Sequence, residues 1–207
     1  MENEQTGELE TCKTRLAFYK KIIEKYEEFI NSSEEKTIPE LKLMISDSDE
    51  TIAQFKKEIL GQLGVQEASY SYERDFLKYA ERTYSLVQSF HPVHSDISVS
   101  FWLSYRDTAE LKAADSFDKV LFLCSLLLAG GCKNAKIRVL EMEGGFKHPV
   151  LIFFFAEKQY LFDPSQECSA FTFQGPLEEI LLTFTYEGRK FVKSLYEFNR
   201  EDYFEFE

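Results

Sequence analysis

Basic residues are the scarce class in this chain. Against 36 Asp and Glu it carries 24 Lys and Arg, a formal net charge of −12 over 207 residues. Phosphate neutralisation needs clustered Lys and Arg, so this balance argues against nucleic acid and equally against an anionic membrane surface. The acidic surplus names no partner by itself, because acidic surfaces commonly serve solubility alone. Long apolar runs are missing too. The longest, "VLFLCSLLLAGG" at 120–131, is too short to span a bilayer. The N-terminal "MENEQTGELETCKTR" is acidic and has no apolar core, so it does not read as a signal peptide. Cysteines are few and scattered: Cys12, Cys124, Cys132 and Cys168 form no C-x-x-C, and reduced thiols in a cytosol are expected. There is no internal repeat of about 20–50 residues and no acidic loop with calcium-ligand spacing. A soluble, cytoplasmic protein without a metal or cofactor is the expectation.

What the chain does have is apolar and aromatic bulk, 44% and 15% of residues, enough to bury a core. The first third carries a seven-residue rhythm. Leu9, Cys12, Leu16, Tyr19, Ile23, Tyr26 and Ile30 alternate spacings of three and four, and Ile38, Leu41, Ile45, Ser48, Ile52, Phe55 and Ile59 do the same. "NSSEEKT" separates them, and "TIPE" at Thr37–Glu40 reads as a capping box with Pro in the first turn. This predicts an antiparallel helical hairpin, coiled-coil-like, over residues 1–64. Ser48 interrupts the second seam. A second domain, 65–207, opens with a helix over about 69–90 whose buried face is Phe76, Tyr79, Ala80, Thr83, Val87 and Phe90. "HPVHSD" ends it, because Pro92 lacks a backbone donor. His91 and His94 lie close together, but no third ligand stands nearby, so a polar helix exit is the better reading than a metal site.

Further on, "ADSFDKVLFLCSLLLAGG" at 114–131 reads as an acidic, hydroxyl-bearing start to a buried helix that stops on a Gly pair. Strands follow: "AKIRVLEM", a Gly-Gly turn, the buried "HPVLIFFFA" and the returning "QYLFD". The segments "GPLEEILLTF" and "EGRKFVKSLYEF" are open between a helix and a strand–helix element. Three chemical groups line up along this order: Ser116 at the helix start, His148 opening a strand, and Asp163 closing the next. Antiparallel neighbours about 4.8 Å apart can set an imidazole against a carboxylate. A residue in the first helical turn can face that pair, in the positive field of the helix end that favours a thiolate.

The order and its surroundings resemble the transglutaminase-like superfamily, the papain-related cysteine enzymes. That family's nucleophile segment reads approximately G-D-C-x-D-K-A-x-L-L-A-S-L-L-R-A-L-G. Asp115, Asp118, Lys119, Leu123, Ser125, Leu126, Leu127, Ala129 and Gly131 match it without a gap. Upstream, "WLSYRDT" sets Trp102, Asp107 and Thr108 where members often carry W-x-x-P-x-E-T. Downstream, "HPVLIFFFAEKQYLFDPS" resembles H-x-W-x-E-V with a returning strand ending D-P-T. The resemblance covers about 102–165 and implies an α+β fold, a papain/transglutaminase-like core of a helix packed on an antiparallel sheet, behind the N-terminal hairpin. It implies a nucleophile–His–Asp site at Ser116, His148 and Asp163, with Trp102, Asp115 and Asp118 as binding residues.

The departures from the family bear on function. Ser116 stands at the cysteine position, Ala114 replaces the turn glycine, and Val150 stands where Trp is frequent. A thiol near pKa 8.5 can form an ion pair with a neighbouring imidazole, whereas a serine needs the imidazole as a true general base. Cys124 is no substitute: eight residues beyond Ser116, it lies about 12 Å along the helix axis. Each residue also has a structural role open to it. Ser116 with Asp115 makes a helix cap worth roughly 1 kcal/mol, His148 fits a strand start, and Asp163 before Pro164 fits a turn. The phenylalanines at 153–155 and Trp102 fit the core. Three readings follow. The first is a non-catalytic transglutaminase-like protein that binds or scaffolds. The second is a Cys-His-Asp acyl-transferase or peptidase/amidase seen as a natural or engineered serine variant, and the third is a coiled-coil assembly protein. A protein or peptide partner is expected, with a homodimer through the N-terminal helices as one form. The first reading accounts both for the retained residues and for the missing thiol.

Overall fold

The structure is a computed structural model that describes residues 2–93, 99 and 101–207, with side chains from residue 7 onward. It divides into two compact units, residues 1–36 with 94–102, and residues 37–93 with 103–207. In the first unit, helix α1 (Glu2–Lys25) is followed by α2 (Glu27–Glu34). The indole N–H of Trp102 donates to the Glu34 carbonyl at 2.9 Å within the same unit.

The second unit begins with α3 (Ile38–Met44), opened by the expected capping box, in which the Thr37 amide donates to Glu40 Oε2 at 2.8 Å. Then comes α4 (Glu50–Gln62), capped by Asp49 Oδ1, which accepts from the Thr51 amide at 2.8 Å. The second heptad run is therefore two helices with a break at residues 45–49, not one seam. The break falls at "SDSD", where short polar side chains compete for backbone donors and favour caps over helix interior. Leu41, Ile45, Ile52 and Ile59 are all buried in this second unit. A boundary between the two compact units falls at 36/37.

Next comes α5 (Tyr72–Gln88), and its predicted face, Phe76, Tyr79, Ala80, Thr83, Val87 and Phe90, is buried throughout. A short strand β1 (His91–Pro92) pairs in parallel with β2 (Ala113–Ala114), on either side of α6 (Tyr105–Leu111). Helix α7 (Ser116–Ala129) is the centre of the unit: every residue from Asp118 to Leu127 is buried. Phe55, Phe90 and Tyr105 meet Phe122 edge-on at 5.4–5.5 Å between centroids. The Gly pair ends the helix for two separate reasons. A Cβ on Gly130 would lie 2.4 Å from the Tyr79 ring, and Gly131 takes φ +99°, the left-handed geometry that closes helices.

The other side of α7 is covered by an antiparallel sheet. Its strands are β3 (Lys136–Met142), β4 (Phe146–Phe155), β5 (Lys158–Phe162) and β6 (Phe173–Gln174), followed by helix α8 (Leu177–Thr183). Strands β7 (Thr185–Tyr186), β8 (Arg189–Phe198) and β9 (Tyr203–Glu205) complete it, in the order β6-β5-β4-β3-β8-β7, with β9 also on β8. The tail left open by sequence is thus one helix and three strands. "RKFVKSLYEF" is a bulged strand that inserts beside β3. There Glu197 receives Arg138 at 2.5 Å and Lys136 at 3.0 Å. Burial alone would raise the Glu197 carboxyl, yet the two cations hold it below the ordinary range. All four thiols are free. Among the described residues, no helix is long and apolar enough to cross a membrane.

Because α7 is enclosed on all sides, truncating it leaves a void that the neighbours cannot close. Leu126→Ala is expected to cost about 2–5 kcal/mol, read from the denaturant midpoint at unchanged slope. The same change at Leu182, 81% exposed on α8, is expected to cost less than about 0.5 kcal/mol.

Candidate functional site

The first turn of α7 supplies one side of the site. Asp115 sits just outside the helix in extended backbone, and its Oδ1 accepts from the Asp118 amide at 2.8 Å. Asp115 alone is therefore the cap, and Ser116 is the first helical residue, its hydroxyl released from the capping role that sequence allowed it.

Strands β4 and β5 supply the other side. The register pairs Leu151 with Phe162, which brings His148 and Asp163 together across the hairpin. His148 Nε2 lies 2.8 Å from Asp163 Oδ2, and both side chains have 0% exposure. With the carboxylate as acceptor, the imidazole donates from Nε2. The other ring nitrogen, Nδ1, is buried and has no hydrogen-bond partner in the structure.

Asp163 is held from several directions. Its Oδ2 also accepts from Gln166 Nε2 at 2.7 Å, and its Oδ1 accepts from the Ser165 amide at 3.0 Å. Its carbonyl accepts from the Tyr84 hydroxyl at 2.9 Å. Gln88 then donates to the carbonyls of Gln166 and Cys168 at 2.6 and 2.8 Å. One face of α5 thus clamps the loop that carries the carboxylate, and both carboxylate oxygens of Asp163 are satisfied.

Aromatic rings cover the histidine. Tyr186 stacks on His148 with centroids 3.7 Å apart and 19° between planes, and Phe146 lies parallel to Tyr186 at 6.0 Å. Phe184 stacks at 6.1 Å from the imidazole. Burial raises the pKa of the Tyr186 phenol, and the neighbouring Ser116 hydroxyl acts against that rise. Tyr186 therefore stacks on the imidazole and has the Ser116 hydroxyl as a neighbour.

Two charged groups go into the core with α7. Burial, reinforced by the charge of Asp115, pushes the Asp118 carboxyl up to about 8, opposed by the Leu103 amide. Burial lowers the pKa of Lys119, against the pull of Asp163.

The expected site residues are thus placed unevenly. His148 and Asp163 are directly paired, Ser116 neighbours Tyr186, and Asp115 and Asp118 build the helix start. Trp102 is engaged within the first unit. His91 belongs to β1, while His94 lies outside the described residues. Among the described residues, no three His, Cys, Asp or Glu side chains are grouped to hold a metal. Sequence reasoning missed Tyr186 and Gln166 and gave Lys119 no role. Gln166 had a signal, lying three residues past Asp163 in "DPSQ", within reach of its carboxylate. Tyr186, in a two-residue strand more than twenty positions from the motif, had none.

A helix buried against an antiparallel sheet in this order is a papain-like fold. The solved structure of LapG from Legionella pneumophila shares this fold: TM-score 0.52, 15% identity, over 80% of this chain and 84% of that one. Its calcium-bound form superposes with TM-score 0.51 and 14% identity over 78% and 88% of the two chains. Its EGTA-treated form gives 0.51 and 15% over 81% and 83%. No protein-family model and no curated protein matches the sequence.

The buried carboxyl makes a pH signature. Asp118 titrates near its ordinary 3.8 when unfolded and near 8 when folded. Between those values the folded chain holds a proton that the unfolded chain has lost. The stability this proton contributes is complete below about pH 4 and is lost as pH rises through 8. Asp118→Asn is expected to flatten the fall in urea stability from pH 5 to pH 8.5. An unchanged slope in the variant would place the titration elsewhere.

Proposed function

We propose that this chain is a non-catalytic protein of papain-like architecture that binds or scaffolds a protein or peptide, with Ser116 at the nucleophile position. One observation carries the reading: the Tyr186 ring lies 3.7 Å from the His148 ring while also neighbouring the Ser116 hydroxyl. A general base must come within hydrogen-bond reach of the proton it removes, either directly or through one water. Here the imidazole is wholly buried, its Nδ1 is unpartnered, and the Tyr186 phenol neighbours the serine. The His–Asp pair then acts as a buried strut joining β4 to the loop after β5. Neither a cofactor, nucleic acid nor a membrane enters this function.

A second reading keeps support from the geometry. The 2.8 Å His148–Asp163 bond and the placement of residue 116 at a helix start are what a Cys-His-Asp acyl-transferase or peptidase/amidase requires. In a cysteine form the helix end and imidazole would favour a thiolate. His148 would serve as base and then acid around a thioester, with Asp163 fixing its tautomer.

Ser116→Cys separates the two. Alkylation of the introduced thiol, followed by intact mass against pH, is expected to titrate near the ordinary value of about 8.5 and to be indifferent to a further His148→Ala. Adding Tyr186→Ala to Ser116→Cys is expected to raise the reaction rate below pH 7 at least tenfold, because the ring no longer covers the imidazole. A thiolate formed well below pH 7 in Ser116→Cys itself, and abolished by His148→Ala, would establish the enzyme reading instead. So would hydrolysis or transamidation of a Gln-containing peptide by the unaltered protein, lost on His148→Ala.

A further inference from the structure

A cavity of about 260 Å³ opens beside the C-terminal half of α7, within the second unit. Leu128 on its wall is twelve residues beyond Ser116, about 18 Å along the helix axis, so this space is separate from the His148–Asp163 site. Its floor is apolar: Ile45, Cys124 and Ala135 are 1%, 1% and 3% exposed. Burial pushes the Cys124 thiol up, so the floor presents a neutral S–H, a soft and nearly apolar surface rather than a nucleophile. Two ties hold the rim open. Arg200 Nη1 donates to Asp47 Oδ1 at 2.9 Å, and Lys42 Nζ donates to the Glu201 carbonyl at 2.6 Å. They fix the β8–β9 turn against the end of α3 and the turn after it. The space exceeds the roughly 150 Å³ that accepts a benzene ring.

One buried polar side chain on this wall has bonding capacity to spare. Asn199 is 8% exposed, and its Oδ1 accepts from the Glu201 and Asp202 amides at 2.9 and 2.7 Å. Those two bonds fix which end of the amide meets the turn. They leave Nδ2 on the cavity side, with no acceptor among the described residues. A buried N–H donor without an acceptor is costly, so a ligand that accepts from it gains more than the same contact made in water. Lys133 on the rim makes no ion pair among the described residues, whereas Asp47 is committed to Arg200. Glu201 is exposed at the mouth. What the enclosed space offers is therefore a donor and a nearby cation above an apolar floor. An amine or a zwitterion would need an acceptor there, and the one on Asn199 is already used. We propose that this cavity binds a small apolar carboxylate, its hydrocarbon part on Ile45, Cys124, Leu128 and Ala135 and its carboxylate accepting from Asn199 Nδ2 beside Lys133. The proposal is independent of whether Ser116 takes part in chemistry.

Amide NMR spectra of the full chain titrated with sodium pentanoate test this. Saturable shifts are expected at the Asn199 side-chain amide and at the Cys124 and Ala135 backbone amides, with none at Ser116 or His148 and a Kd below about 1 mM. Pentanamide, of the same size but uncharged, is expected to bind at least tenfold more weakly. Asn199→Asp keeps an oxygen for both turn amides and replaces the free donor with a second acceptor. It is expected to lose pentanoate at least tenfold, and to bind pentanamide, whose N–H it can accept, more tightly than the unaltered chain does. Lys133→Ala, at an exposed position, is expected to weaken pentanoate about threefold and to leave pentanamide unchanged. Circular dichroism on each variant separates lost binding from lost fold. No saturable shift up to about 20 mM pentanoate, twenty times the expected limit, would overturn the proposal. So would equal affinity for acid and amide, or shifts centred on His148.

Discussion

The enclosure of α7 on every side is the constraint from which the second unit is built. A helix that is apolar all round has no face to offer to water, so it must be surrounded by other elements. Helices α4 and α5 cover part of its circumference, α6 adds Tyr105 against Phe122, and β3 with β4 covers the rest. Once the helix is fixed, its first turn is fixed with it. Ser116, Asp118 and Lys119 are placed by the packing of residues one and two turns away, such as Leu123 and Leu126, and Asp118 and Lys119 are buried despite their charge. Their shifted titration follows from that position, because solvent that would stabilise either ion is excluded.

The His148–Asp163 pair is the polar counterpart of that enclosure. Two titratable groups at zero exposure persist because each satisfies the other and because Gln166, Ser165 and Tyr84 fill the remaining acceptors on the aspartate. The same geometry can serve chemistry or structure, and what separates the two is access to the imidazole. Tyr186 covers one face of that ring, with centroids 3.7 Å apart. Its ring lies flat on the imidazole and its hydroxyl sits by Ser116, so the aromatic cover and the serine are parts of one arrangement.

The first unit follows different physics. Helix α1 has few apolar residues for its length, keeps its seam exposed and separates its charges along the axis. A helix of this kind gains little from propensity alone and gains most from a partner. The two heptad-like runs looked alike in sequence, yet only the second, Ile38–Ile59, is consumed by the core of the second unit. Its larger share of isoleucine and leucine and its polar break at Ser46–Asp49 let it fold into two short helices on α7, whereas α1 carries tyrosine, cysteine and a dense charge pattern along its seam.

Local rules determined much of this protein from sequence alone. The capping box at Thr37, the buried face of α5, the span of α7 with its Gly pair, the β4–β5 hairpin and the pairing of His148 with Asp163 all rest on contacts within a few residues or across one tight turn, where spacing carries the geometry. The α+β, papain-like architecture was legible through the resemblance of residues 102–165 to the transglutaminase-like superfamily. Tertiary structure alone decided the rest. The bulged strand β8 reads ambiguously because its neighbours, β3 and β9, supply its hydrogen bonds from elsewhere. Tyr186 lies 38 residues beyond His148 in the chain, yet it lands on the imidazole because β7 is carried there by β8, which pairs with β3. Nothing in the spacing of the site residues encodes that contact, since it depends on the order of strands across the sheet.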